Sequence, residues 1–227
     1  IVKTIVTTET IKTIAERNGV EMYDVYTGFK WIANVMRENE GKKNYIGGGE
    51  ESYGFLCEDF VRDKDAVSAC VILAEIAAWA KDQGLSLYQL LQKIYVEYGF
   101  SKEKGISVVK KGKSGAEEIE AMMKKFRENP LTEIAGSKVT YFYDYSTLKG
   151  KDYAENETVT LDMPTTSNVL QYFTEDNTKV SIRPSGTEPK IKFYCEVHSK
   201  VKSIDELPEA EKAAEEKINQ IKASLGI

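Results

Sequence analysis

"IVKTIVTTETIKTIAERNGVEMYDVYTGFKWIANVMREN", residues 1–39, decides the fold class. "IVKTIVTT" is rich in β-branched residues and reads as a strand, and "ETIKTIAERNG" reads as a helix stopped by Gly19. "VEMYDVYTG" is a second strand, and in "FKWIANVMREN" Phe29, Ile32, Ala33 and Met36 share one helical face. Strand and helix in alternation, with no tight hairpin between the strands, predict a three-layer α/β domain on a mostly parallel sheet. Ligands of such sheets bind at loops beyond the carboxyl ends of the strands, which directs attention to the loops after Val25 and after Ile46.

Further along, "KNYIGG" reads as a third short strand, followed by helices at about 65–82 and 87–98, the latter introduced by the capping pattern Ser86-x-x-Gln89. "AVSACVILAEIAAWA", 66–80, is apolar on nearly every side, which predicts a helix packed on most of its circumference. A charged helix is expected at 114–128, then a linker, "ENPLTEIAGS". From 138 the order becomes strand, strand, helix, strand, strand, helix, a small α+β domain with an antiparallel sheet, closed by a helix with Pro208 near its start. Two domains are therefore expected, 1–130 and 138–227.

The second domain contains "SIRPSGTEPKIKFY", 181–194. Val180 and Ile182 lead into the turn, and Ile191, Phe193, Cys195 and Val197 lead out on one face of a period-two strand. Pro184 fixes one φ angle, and Gly186 permits a conformation most residues resist. Converging backbone N–H groups, the Arg183 fork, and the Ser185 and Thr187 hydroxyls suit an anion, with Lys190 and Lys192 adding positive charge. A phosphate receptor is the tightest chemical reading; a solvated hairpin tip is the plain alternative.

"GGGEESYG", 47–54, looks like a second phosphate loop, but Glu50 and Glu51 would repel a dianion. Carboxylates and a serine hydroxyl beside a close backbone suit neutral polyols, since one carboxylate accepts from two adjacent hydroxyls. An acidic helix start is the alternative. A glycosidase needs a second, separated carboxylate, and none is evident. One place for sugar hydroxyls and one for a phosphoryl group together fit a sugar phosphate.

Composition narrows the classes. The 227 residues are 41% hydrophobic and 30% charged, as in globular domains. A net charge of −5 argues against a general nucleic-acid surface. Cys57, Cys70 and Cys195 lie far apart, which argues against a zinc site or disulfide scaffold and suits a reducing cytoplasm. The single histidine, His198, leaves no room for a multi-histidine metal site and reads as an exposed residue on a strand. No apolar run is long enough to span a membrane. The opening in mid-strand, without an initiator methionine, raises the expectation of a piece of something longer.

"VYTGFKW", "GGGEESYGF", "VRDKDAV" and "SIRPSGTEPKIKFY", in this order, resemble the α-D-phosphohexomutase family, nearest to its bacterial phosphoglucomutase/phosphomannomutase group. The resemblance covers nearly the whole chain and implies a C-terminal fragment holding most of the family's third domain and its fourth. It implies that Thr27 and Gly28 approach the sugar, that Glu50 and Ser52 read adjacent ring hydroxyls, and that Lys64 lies near the substrate. It assigns Arg183, Ser185, Gly186, Thr187 and Lys192 to the phosphate. The family reaction moves a phosphoryl group from a phosphoserine to a hexose phosphate and back by way of a hexose 1,6-bisphosphate, supported by Mg²⁺. Neither the family's nucleophile loop nor its metal loop occurs in this sequence. No catalytic or metal residue is therefore expected here; serine and Mg²⁺ would belong to N-terminal domains of the same polypeptide, and this chain alone is expected to be inactive. Partners are expected to be a small phosphosugar and those domains, without nucleic acid or membrane. A phosphopentomutase of the same family and a non-catalytic sugar-phosphate or anion-binding module are the alternatives.

Overall fold

The computed structural model describes residues 1–110, 112–186 and 188–227, the side chain of Lys113 excepted. The chain forms two compact units: Ile1–Gly99 with Lys200–Ile204, and Phe100–Ser199 with Asp205–Ile227.

In the first unit β1 (Val2–Thr4), α1 (Thr10–Arg17), β2 (Tyr23–Val25), α2 (Phe29–Glu38), β3 (Gly47–Gly49) and β4 (Phe55–Cys57) alternate as the opening stretch predicts. The sheet order is β2-β1-β3-β4; β1 runs parallel to both neighbours, and β4 turns back antiparallel on β3. Phe29, Ile32 and Met36 of α2 pack with Val2, Val25 and Leu56 in one core cluster, each such burial contributing roughly 1.5–3 kcal/mol. Ala33 is only half-buried.

The third strand expected at "KNYIGG" is confined to the three glycines, Gly47–Gly49, and leaves Lys43–Ile46 outside it. At Gly48 a Cβ would sit 2.3 Å from the Val2 carbonyl oxygen and 2.6 Å from the Tyr45 hydroxyl. Only a bare backbone fits between β1 and its neighbours.

The unit closes with α3 (Ala66–Asp82) and α4 (Leu87–Tyr98). Asp65 caps α3 by accepting the Ser68 N–H, and Ser86 and Gln89 form the predicted capping box on α4. The expectation of a helix packed on most sides fails for α3. It packs against β4 and α4, only Ala80 among its residues is buried, and Val67 and Trp79 are 74% and 55% exposed.

The second unit is built on one antiparallel sheet. Its strands are β5 (Phe100–Val109), β6 (Glu133–Ile134), β7 (Ser137–Asp144), β8 (Lys149–Asp152), β9 (Glu157–Thr160), β10 (Leu170–Thr174), β11 (Lys179–Pro184) and β12 (Lys190–Ser199). They run in the order β5-β12-β11-β10-β7-β8-β9, with β6 added on β7. Helices α5 (Gly112–Glu128) and α6 (Leu207–Leu225) pack against β12. Ile191, Phe193, Cys195 and Val197 are buried as the period-two pattern predicts, and so are Ala214, Ile218, Ile221 and Leu225 of α6.

Two expectations need correction here. The units part at Gly99, not after residue 130, because β5 pairs with β12 over ten residues and draws α5 with it. The helix expected between the two strand pairs is absent among the described residues: 149–152 and 157–160 form a hairpin, and "LDMPTTSN" offers no helical periodicity before β10.

Candidate functional site

Two residue clusters correspond to the predicted sites, each formed within one unit. In the first unit, β2 ends at Val25 and the chain reaches Gly28 through Tyr26 and half-buried Thr27. Gly28 is the N-cap of α2 with φ 111°, a conformation that L side chains rarely adopt. Its N–H therefore points out of the helix end and donates to Glu50 Oε1 at 2.5 Å. Glu50 follows β3 directly; its own N–H donates to the Gly54 carbonyl at 2.7 Å and closes the 50–54 loop. Gly54 is buried beneath this loop, and a Cβ there would meet Glu50 Oε2 at 2.9 Å and Lys64 Cδ at 3.2 Å. Glu50 and Lys64 thus meet over Gly54, and Gly28 joins them through its bond to Glu50. The Lys64 ammonium lies 5.9 Å from the Phe29 ring centroid and 3.5 Å from Asp63. Ser52 is exposed on the loop, next to fully exposed Tyr53, whose φ is 65°. A cavity of about 440 Å³ adjoins Glu50, lined by Ile1, Ile11, Gly47, Tyr53 and Phe55 among others.

Beneath these loops lies a feature that the sequence reading missed. Lys3, in the central strand, is fully buried and pairs with Asp24 at 2.6 Å and Glu9 at 3.0 Å. The signal was present: a lysine between Val2 and Thr4 in an otherwise apolar run must find counter-charges when that strand is central. Thr4, equally buried, donates from Oγ1 to Glu51 Oε2 at 3.0 Å.

In the second unit, β11 and β12 form the predicted hairpin. Arg183 and Lys192 are direct cross-strand partners and so share one face of the sheet. The strands that carry them are pinned by buried polar contacts on that face. Lys179 pairs with Glu196 at 3.0 Å, and Gln171 links Tyr145 to Ser181, donating to the serine at 2.8 Å. At the tip the Ser185 N–H donates to the Lys190 carbonyl at 2.7 Å, and Ser185 Oγ accepts from the Glu188 N–H at 3.3 Å. Lys190 holds the Glu188 carboxylate at 2.7 Å, and that bond, helped by Lys192, keeps the Glu188 pKa below its ordinary value. Gly186 is exposed and leaves unused the freedom its missing Cβ permits; the glycine of the candidate sites with a positive φ is Gly28. Thr187 lies outside the described residues.

Chemically, the first cluster presents a carboxylate steadied by a helix N-terminus, with a lysine beside it. The second carries Arg183 and Lys192 side by side across two strands, two positive side chains that one dianion can bridge. Among the described residues no group of three or more His, Cys, Asp or Glu could hold a metal ion, and no helix is long and apolar enough to cross a membrane.

Comparison with known proteins gives the same division. Residues 1–98 match the α/β/α domain III of phosphoglucomutase/phosphomannomutase, and 107–214 match the C-terminal domain of the same family. A phosphoglucomutase of Staphylococcus haemolyticus is 36% identical over 198 residues, covering 87% of this chain and 36% of the relative. One of Staphylococcus aureus is 40% identical over 193 residues, covering 85% and 35%. The chain thus spans about a third of the length of these relatives. Among solved structures, the Paramecium phosphoprotein pp63/parafusin in its open form superposes with a TM-score of 0.59 at 18% identity, over 89% of this chain and 33% of that one. A phosphoglucomutase/phosphomannomutase family protein of Burkholderia thailandensis gives 0.55 at 16%, over 99% and 37%.

Proposed function

Because the chain belongs to the phosphoglucomutase/phosphomannomutase family, we propose that it is the substrate-binding part of a mutase that interconverts hexose 1-phosphate and hexose 6-phosphate. Glu50 and Ser52 accept and donate hydrogen bonds to adjacent ring hydroxyls, Thr27 and Gly28 bring backbone close to the sugar, and Lys64 supplies a cation beside it. Arg183, Ser185, Gly186, Thr187 and Lys192 hold the phosphate that is not being transferred. In the family reaction a phosphoserine gives its phosphoryl group to the sugar's free hydroxyl, the bisphosphate turns over, and the other phosphate returns to the serine. On this reading the serine, and the Mg²⁺ that neutralises charge during transfer, belong to N-terminal domains of the same polypeptide. The described residues offer no group of three or more His, Cys, Asp or Glu that could hold the ion. A cytoplasmic location accords with three free cysteines.

The observation that carries the reading is the direct opposition of Arg183 and Lys192 across two strands. Like charges so placed cost stability, and an anion relieves the cost. Isothermal titration of glucose 1-phosphate against the chain and its Arg183→Ala variant tests it. Loss of one charge-assisted contact weakens binding by about tenfold or more. Equal affinities for the two proteins would remove the phosphate role. Ribose 1-phosphate binding in preference to glucose 1-phosphate would move the assignment to a phosphopentomutase. The chain alone is expected to show no mutase turnover in a coupled assay.

A further inference from the structure

We propose that Thr4 is a positioning residue for the 50–54 loop, acting through Glu51 so that the two adjacent glutamates divide their tasks. The inference rests on the reading of Glu50 as the sugar contact. Thr4 is the last residue of β1, the strand held between β2 and β3, and it is fully buried. Its Oγ1 donates to Glu51 Oε2 at 3.0 Å and lies 2.9 Å from Thr7 Oγ1, while the Thr7 N–H donates to the Thr4 carbonyl at 2.9 Å. A buried hydroxyl, itself steadied by Thr7, thus holds the tip of a glutamate that is otherwise exposed.

The two side chains leave the bend after β3 toward different partners. Glu51 goes to Thr4, while Glu50 goes to Gly28, whose N–H it accepts at 2.5 Å, and to Lys64 over Gly54. One glutamate anchors the loop and the other is presented to the ligand. The chemistry needed at position 4 is a hydroxyl donor on a strand that cannot shift. Serine supplies the hydroxyl, and valine fills the volume but cannot donate.

The Gly28 amide resonance of the isotope-labelled chain reads this linkage without ligand and without turnover. In Thr4→Val the Gly28 amide is expected to move upfield and to exchange with solvent about tenfold faster, as for loss of one hydrogen bond to a charged group. Thr4→Ser is expected to keep both properties near those of the parent, even where both variants lower the unfolding midpoint. Glu51→Ala, which leaves the core intact, is expected to reproduce the Thr4→Val signature and decides the matter should Thr4→Val not fold. An unchanged Gly28 signal in Glu51→Ala, or a Thr4→Ser variant that behaves like Thr4→Val, overturns the proposal. Glucose 1-phosphate titrated against Glu50→Gln tests the sugar reading separately. If that variant responds as the parent does, the sugar reading fails while the Thr4 linkage stands or falls on Gly28.

Discussion

Glu188 is the one carboxylate at a hairpin tip otherwise dominated by Arg183, Lys190 and Lys192. It is ion-paired to Lys190 and stays ionised below the ordinary glutamate range because of that bond. An incoming phosphate must compete with it, so Glu188→Gln is expected to tighten glucose 1-phosphate binding by about two- to fivefold, the scale of an exposed ion pair, as read by isothermal titration. Weaker binding in that variant would mean that Glu188 assists the anion rather than opposing it. At this scale Glu50 and Arg183 stood out in the sequence because glycine or proline flanks them, Lys192 because it alternates with Ile191 and Phe193, and Lys64, set between two aspartates, only through the family resemblance. Lys3 and Thr4 stayed hidden because their meaning lies in what folds over them. Lys3 is interpretable only once Glu9 and Asp24 are placed beside it, and Thr4 only once Glu51 is. The positive φ of Gly28 was equally unreadable, since a glycine permits such a backbone without requiring it.

Helix α4 begins at a reciprocal pair: Gln89 N–H donates to Ser86 Oγ at 3.2 Å, and Ser86 N–H donates to Gln89 Oε1 at 2.8 Å. Ser86→Ala is expected to cost about 1 kcal/mol. Urea unfolding followed by tryptophan fluorescence measures it in the first unit alone, because both tryptophans, Trp31 and Trp79, belong there. A midpoint unchanged from the parent would show that the cap contributes nothing. Elements with an apolar stripe or a cap were legible: α2, α4, α6, and the β11–β12 hairpin. Strand β5 was not, because it is an edge strand carrying "KEK", whose charges protect an open edge and erase the period-two pattern. Missing β5 also misplaced the boundary between the units. For α3 the composition was read correctly and its surroundings were not. Hydrophobicity states what a helix would bury, and only the fold states what lies against it.

Both units carry protons that burial holds in place. Loss of solvation pushes Tyr26 in the first unit up to about 12 and the Cys195 thiol in the second up to about 12, and it raises Tyr45 and Tyr172 as well. In the unfolded chain these groups ionise near 9 to 10, so above that range the unfolded state releases protons that the folded state retains. Their contribution is complete below about pH 9 and falls as pH rises toward 12. Thermal melts between pH 8 and 11.5 should therefore show a declining midpoint, with phenolate absorbance rising together with unfolding; a flat midpoint over that range would contradict it. The pairing of Arg183 with Lys192 across the hairpin has a practical consequence for every such measurement. On the proposed reading, a preparation stored in sulfate or phosphate salts would carry a competitor at that spot, and its apparent weakness toward phosphosugars would report displacement. Dialysis into a monovalent chloride solution is what returns the true strength of the grip.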